Sequence, residues 1–256
     1  MSLLEILGLT LAALAAGAIN AVAGGGTLIT FPVLLFYGMP PVLANATSTV
    51  ALVIGTPGSI FGFRRYMKAV QPWLWRFIPV SLLGSLFGSI LLTRSSNEVF
   101  GRLVPFLILF ASLLFAAQGA FRRFAIVEAQ QAAAGRRQIA VAIVFQFAVA
   151  VYGGYFGAGI GILTLASLGF IGLTDIHEMN ALKNVLSALI NLVAAIWFIY
   201  KGIVDWPRAG VMCVGALAGY FIGAHYSQRI PREWVRRLIT GIGLAISAYT
   251  FWKTFG

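Results

Sequence analysis

Four polar side chains in the second half of the chain recur at the spacing of one helical face. Asn180, Asn184, Ser187 and Asn191 are separated by four, three and four residues within an otherwise apolar segment. Amides and hydroxyls donate hydrogen bonds without carrying a charge, which suits an oxyanion that must bind and then leave. The same groups also join helices to one another in membranes. The spacing leaves both interpretations open.

Lys183 places a positive charge beside this polar face, just inside the start of the predicted helix. An ionisable side chain in a membrane segment is a functional candidate, and an anion is its natural counter-charge. The alternative is a lysine near a helix end whose ammonium group reaches the interface. The equivalent face in the first half consists of Asn45, Thr49, Leu52 and Thr56, and Thr47 and Ser48 lie beside it.

Two glycine clusters, Gly24–Gly26 and Gly157–Gly161, interrupt apolar segments. Unpaired backbone groups are costly in hydrocarbon, so a break at membrane depth must line protein or water. A helix that begins just after a cluster, at Thr27 for example, would direct N–H groups and its positive dipole end toward the break. We therefore predict two helix N-termini that converge on an anion. Close helix packing is the alternative function of these glycines.

The chain matches itself when it is shifted by 135 residues. The aligned pairs include Gly24 with Gly159, Gly26 with Gly161, Asn45 with Asn180, Pro72 with Pro207, Gly84 with Gly219, and Gly88 with Gly223. For the last two pairs we expect close helix packing. A duplicated half in an apolar chain is typical of a transporter whose site lies between the repeats. We predict a first repeat at 1–121, a basic inter-repeat loop at 122–138 and a second repeat at 139–256.

The composition is that of an all-α polytopic membrane protein, with 60% hydrophobic and 10% charged residues. We expect about eight long helices and two short segments, each short segment following a glycine cluster. The long apolar stretches lie at about 3–22, 44–63, 77–93, 103–121, 139–155, 184–200, 209–226 and 238–252. The basic residues fall in loops, which argues against nucleic-acid binding. We found no catalytic constellation, cofactor motif or metal-ligand cluster, so we predict no enzyme activity and no cofactor.

Positive charge is concentrated in three connections, at 64–76, 122–137 and 229–237. Because cytoplasmic loops retain Lys and Arg, an even number of crossings should separate these connections. That condition requires each glycine-broken first element to cross and return or to re-enter, which gives five segments per half. An odd number makes the two halves inverted repeats and places both termini outside the cytoplasm. The alternative is a parallel repeat with four segments per half.

The motifs around the glycine clusters resemble those of the TauE/SafE family. The first motif is Gly17-Ala-Ile-Asn20-Ala-Val-Ala-Gly24-Gly25-Gly26, followed by Pro32 and by Asn45-Ala-Thr47-Ser48. The second is Gly157-Ala-Gly159-Ile-Gly161, followed by Asn180-Ala-Leu182-Lys183-Asn184, with leucine where threonine is more usual. The resemblance covers essentially the whole chain.

The resemblance implies export of sulfite, or of sulfonates such as sulfoacetate, by a secondary transporter of the cell inner membrane. An importer of sulfonate or thiosulfate and an anion channel are the alternatives. The expected partners are a small sulfur-containing anion and the lipid bilayer, with no nucleic acid, and homodimer formation is left open. The candidate substrate-binding residues are Asn20, Gly24, Gly25, Gly26, Thr27, Asn45, Thr47, Ser48, Gly159, Gly161, Asn180, Lys183 and Asn184.

Overall fold

The computed structural model describes residues 1–22, 25–62, 64–131, 135–171, 173, 175–226 and 232–256. Every regular element in these ranges is helical. The α-helices are α1 (Leu3–Val22), α2 (Thr27–Phe36), α3 (Pro41–Val53), α4 (Thr56–Gly62), α5 (Met67–Arg94), α6 (Asn97–Gln131), α7 (Arg136–Tyr155), α8 (Ile160–Gly169), α9 (Ile176–Tyr200), α10 (Trp206–Tyr226) and α11 (Arg232–Phe255). A single 3-10 turn at Arg64–Tyr66 precedes α5.

Five stretches of the described helices are long and apolar enough to cross a membrane, by length and composition. They are Leu3–Ala21, Arg64–Arg94, Asn97–Phe121, Arg136–Tyr155 and His177–Tyr200. Three shorter apolar helices, α2, α3 and α8, accompany them. The protein is therefore a multi-pass helical membrane protein.

The predicted long helix at 44–63 is wrong, because two shorter helices replace it. Helix α3 ends at Val53, and α4 begins at Thr56 after a turn at Ile54 and Gly55. Pro57 lacks an N–H group and disfavours helical geometry in the residue before it, which explains the interruption. The ring of Tyr220 from α10 also packs onto Gly55, where it fills the space that a side chain would need.

Part of the predicted inter-repeat loop is also helical. Helix α6 has 35 residues and continues to Gln131, and α7 begins at Arg136. Residues 122–131 of the predicted loop thus belong to α6. The division of the chain into two repeats stays a prediction. The helices follow a matching order in the two halves, since each half begins with a long helix and then a short one, α1 and α2 in the first and α7 and α8 in the second.

The backbone leaves helical geometry at both glycine clusters, as predicted. Helix α1 ends at Val22 and α2 begins at Thr27, while α7 ends at Tyr155 and α8 begins at Ile160. Helix α2 turns back along α1, since the Tyr37 hydroxyl just after it donates to the Leu4 carbonyl at 3.4 Å. With 10 residues, α2 is about 15 Å long, roughly half the hydrocarbon thickness. It returns to the end where α1 began.

The first helix of each half packs most extensively on a helix of the other half. Helix α1 lies along α10, and α7 lies along α5. Gly88 of α5 meets the backbone at Val151 of α7, and Gly223 of α10 meets the backbone at Ala18 of α1. A methyl group at either glycine would collide with a main-chain carbonyl. The predicted close-packing role of these glycines is confirmed. Helices α6 and α11 pack on each other beside these two pairs.

Candidate functional site

The first break is closed by the side chain of Asn20, near the end of α1. Its Oδ1 accepts a hydrogen bond from the Gly26 N–H at 2.7 Å, and its Nδ2 donates to the Tyr220 hydroxyl at 3.0 Å. The Tyr220 hydroxyl in turn donates to the Leu52 carbonyl at 3.2 Å. Asn20 therefore ties the break to α10 and α3. Gly24 lies outside the described residues.

The start of α2 offers fewer open donors than predicted, because several of its N–H groups are already bonded. Gly26 donates to Asn20, and the Leu28 N–H donates to the Gly25 carbonyl at 3.0 Å. Gly25 itself has a φ of +96°, a conformation that glycine adopts without steric cost. The side chain of Thr27, the first residue of α2, takes no part in these bonds. At the first break, the Gly26 N–H group is therefore occupied by a side chain of the protein itself.

Two of the predicted α3 residues, Thr47 and Ser48, form hydrogen bonds to neighbouring segments. The Ser48 hydroxyl lies 2.6 Å from the Thr30 hydroxyl of α2, and the Thr47 hydroxyl accepts from the Asp205 N–H at 3.1 Å. Both residues are fully buried. This is the interhelical bonding that was the alternative reading of the polar edge.

Asn45 reaches from α3 to the second break. Its Nδ2 donates to the carbonyl of Tyr155, the last residue of α7, at 3.1 Å. The side chain is almost completely buried, with 1% of its surface exposed. Its Oδ1 has no hydrogen-bond partner among the described residues. A polar residue of the first half thus contributes directly to the break in the second half.

The second break exposes unbonded backbone donors at the start of α8. Gly157 and Gly159 have φ values of +86° and +81°, which turn the chain between α7 and α8. The Tyr152 hydroxyl holds this turn by donating to the Ala158 carbonyl at 2.7 Å. None of the hydrogen bonds among the described residues has the N–H of Gly159, Ile160 or Gly161 as its donor. A helix start with free N–H groups is suited to an anion.

The polar face of α9 lies against this helix start. A Cβ atom at Gly161 would lie 3.6 Å from Lys183 Cδ and 3.9 Å from Ser187 Oγ. A Cβ atom at Gly157 would lie 3.5 Å from Asn191 Oδ1. The Ser187 hydroxyl is buried without a partner among the described residues. The predicted face thus meets the predicted break.

Lys183 also interacts with the first residue of the polar face. Its ammonium group donates to Asn180 Oδ1 at 3.1 Å, one helical turn away. Both residues are half-buried within α9, as is Asn184. The amide oxygen orients the ammonium group while leaving its net charge in place. Lys183, Asn180 and Asn184 therefore lie on the helix that faces the second break.

A single aromatic ring touches both breaks, which the sequence did not indicate. A Cβ atom at Gly25 would lie 2.5 Å from Phe115 Cζ, and one at Gly159 would lie 3.7 Å from Phe115 Cε2. Phe115 belongs to α6 and is 1% exposed. Its position in the other repeat is occupied by Thr250, so the repeat gave no signal for it. The two breaks therefore come together at this ring.

This combination of membrane-spanning helices, two glycine-broken hairpins and a buried polar face defines a membrane protein of the transporter class. Residues 9–250 match the family described as sulfite exporter TauE/SafE, and the chain belongs to that family. The relatives found carry the name probable membrane transporter protein.

Three relatives illustrate the similarity. A probable membrane transporter protein of Haemophilus influenzae is 27% identical over 90% of this chain and 88% of its own length. The probable membrane transporter protein YfcA of Escherichia coli K12 is 26% identical over 95% of this chain and 88% of its own. The probable membrane transporter protein ORF9 of a Sinorhizobium species is 24% identical over 93% and 89%, respectively. No solved structure matches the chain significantly.

Proposed function

We propose that this transporter is a secondary carrier that exports a small sulfur-containing oxyanion, such as sulfite or an organosulfonate. The observation that carries the proposal is the start of α8, where three backbone N–H groups lack acceptors beside Lys183 and Ser187. The nature of the anion rests on the family to which the chain belongs.

The chemistry of the second break suits an oxyanion with several oxygens. Backbone N–H groups at the start of α8 supply directed donors, and the helix dipole adds a partial positive charge. Ser187 adds a hydroxyl whose hydrogen-bonding capacity the described residues do not use. Lys183 supplies a full charge on the same side. Neutral donors with one cation bind an anion strongly enough for selection, yet permit release.

An inverted relation between the halves would place this site between two moving units. Tyr37 and Leu4 mark the end at which the α1–α2 hairpin opens, here called the terminal end. The hydroxyl of Tyr155, the last residue of α7, lies 3.5 Å from the hydroxyl of Ser95, between the end of α5 and the start of α6. The rings of Phe145 and Phe170 meet 6.2 Å apart near the opening of the α7–α8 hairpin. These contacts support opposite openings for the two hairpins.

The distribution of charge supports export toward the terminal end. Arg136 and Arg137 begin α7, and Arg236 of α11 lies near Gly119 of α6, at the end opposite Leu4, here called the basic end. Because cytoplasmic segments retain positive charge, we place the basic end in the cytoplasm. An anion that leaves by the terminal end then moves down the inside-negative potential.

Ligand-dependent stabilisation of the purified full-length protein tests the substrate class. We expect sulfite or a sulfonate to raise the melting temperature at concentrations where chloride at equal ionic strength does not. No shift with sulfite, sulfoacetate, thiosulfate or sulfate would remove the proposed substrate class.

Flux through proteoliposomes then separates a carrier from a channel. A carrier shows saturable uptake and accelerated exchange when unlabelled substrate is present on the opposite side. Flux that rises linearly with concentration, without exchange, would identify an anion channel. Flux that is equal in both directions, whatever the sign of the imposed potential, would contradict export but not the carrier mechanism.

A further inference from the structure

Buried aromatic rings fill the space between the two halves on the terminal side of the second break. Phe31 of α2 packs edge-on against Phe156, which follows α7, with centroids 5.5 Å apart and planes at 85°. Phe100 of α6 lies 6.2 Å from Phe31 and 5.4 Å from Tyr155. Phe31, Phe100 and Phe156 are each at most 1% exposed. We call these three phenylalanines the aromatic cluster.

The equivalent positions in the other copy carry much smaller side chains. At an offset of 135 residues, Phe31 corresponds to Ala166, Phe156 to Ala21 and Phe100 to Val235. Three large rings therefore stand where the matching positions carry two alanines and a valine. If the halves are inverted, the two sets lie on opposite sides of the two breaks.

We infer that the aromatic cluster is the permeation barrier between the second break and the terminal end. This inference rests on the inverted arrangement in the proposed function. Phe156 follows directly on α7, three residues before Gly159, and Phe31 lies in the second turn of α2. Hydrophobic constrictions exclude ions because a hydrated anion cannot shed its water there. The ring faces also carry partial negative charge, which repels an anion.

The barrier predicts a specific division of roles among the rings. Phe31 and Phe156 belong to different halves, so their contact is broken whenever the two halves separate at the terminal end. Phe100 belongs to α6, which also carries Phe115, the ring between the breaks. Opening at the terminal end therefore requires Phe31 and Phe156 to part, while Phe100 stays with α6.

Passive anion leak distinguishes a barrier from ordinary core packing. The full-length protein is reconstituted into liposomes that contain a halide-quenched dye, and iodide entry is measured without any sulfur compound. We expect Phe31→Ala and Phe156→Ala to raise iodide entry by about tenfold or more over the parent protein, because the dehydrated constriction is lost. Phe77→Ala is the matched control, since Phe77 is fully buried in a separate apolar cluster. It should lose stability without leaking.

Phe31→Leu and Phe156→Leu keep the test decisive if the alanine variants do not fold. These side chains keep the constriction apolar but are smaller than phenylalanine and lack the ring faces, so a leak smaller than that of the alanine variants is expected. Folded leucine variants that remain as tight as the parent protein would overturn the barrier. Leak in the Phe77→Ala variant equal to that of Phe156→Ala would overturn it as well. Because the assay contains no sulfur substrate, a failure of the substrate proposal does not affect its result.

Discussion

The amide oxygen of Asn20 accepts a hydrogen bond from the backbone N–H of Gly26 at 2.7 Å, across the first glycine break. The same side chain donates to Tyr220, so one residue closes the turn and joins it to the other half. Of the two breaks, the first is thus held by a side chain, whereas the second keeps its helix start open. The two glycine breaks therefore differ in how their backbone N–H groups are bonded.

Replacing Asn20 by alanine should destabilise the protein by about 1–3 kcal/mol, because the Gly26 N–H loses its acceptor in a buried turn. Tyr220→Phe, which removes only the hydroxyl, should cost less. Chemical unfolding in detergent measures both. An Asn20→Ala protein as stable as the parent would show that Gly26 finds another acceptor.

Replacing Lys183 by methionine should weaken anion binding by about ten- to a hundredfold, because a charged hydrogen-bond donor is worth about 1.5–3 kcal/mol. The apolar stem remains, so the fold should persist. Lys201→Met is the control, since it removes the same charge from an exposed position after α9. Calorimetric titration with the stabilising anion gives the affinities. Equal losses in both variants would indicate a general charge effect.

Replacing Asn45 by leucine should reduce transport more than stability. The change leaves the Tyr155 carbonyl without its donor and removes the unpartnered Oδ1 near the second break. Leucine has the same branched shape and the same number of side-chain heavy atoms as asparagine, so the fold should persist. Initial transport rates at subsaturating substrate measure the effect. A rate equal to the parent rate would assign Asn45 to packing alone.

Gly161→Ala should reduce transport, whereas Gly88→Ala should reduce stability. At Gly161 the nearest atoms would be 3.6 Å away, so the methyl group fits but narrows the space beside the α8 donors. Transport should fall while the melting temperature stays near that of the parent. At Gly88 the methyl group meets the Val151 carbonyl, which should cost about 1–3 kcal/mol or more. Comparable destabilisation by both changes would argue against an open site at Gly161.

Export should respond to membrane potential without an obligatory pH gradient. Glu5, Glu98, Glu178 and Glu233 each lie in the first turn of a helix, away from the middle of the membrane-spanning segments. A monoanion gains about 2.3 kcal/mol per 100 mV, which corresponds to roughly a fiftyfold gradient. A potassium-diffusion potential at equal pH should accelerate efflux from the negative compartment. Flux that follows only a pH gradient would instead indicate proton coupling.

The sequence predicted the breaks well because their signals are local. Three consecutive glycines disfavour a helix wherever they occur, and a polar face of fixed spacing survives as such in α9. Gly55 and Pro57 also indicate the break between α3 and α4. The length of the apolar stretch, however, favoured a single long helix. Phe115 could not be predicted, since its importance depends on two breaks meeting at one ring. Nor could the packing of α1 on α10, which joins segments far apart in the chain.

The exchange of helices between the halves has a consequence for biogenesis. Asn20 and its partner Tyr220 are 200 residues apart, so at about 5–20 residues per second the ribosome needs roughly 10–40 s to make the second after the first. During that interval α1 is in the bilayer without α10, the helix whose glycines pack against it. The insertion machinery, or a neighbouring helix, must shield the unfinished turn until α10 emerges. The packing of α10 on α1 is therefore possible only late in synthesis, although Asn20 and the rest of α1 are made first.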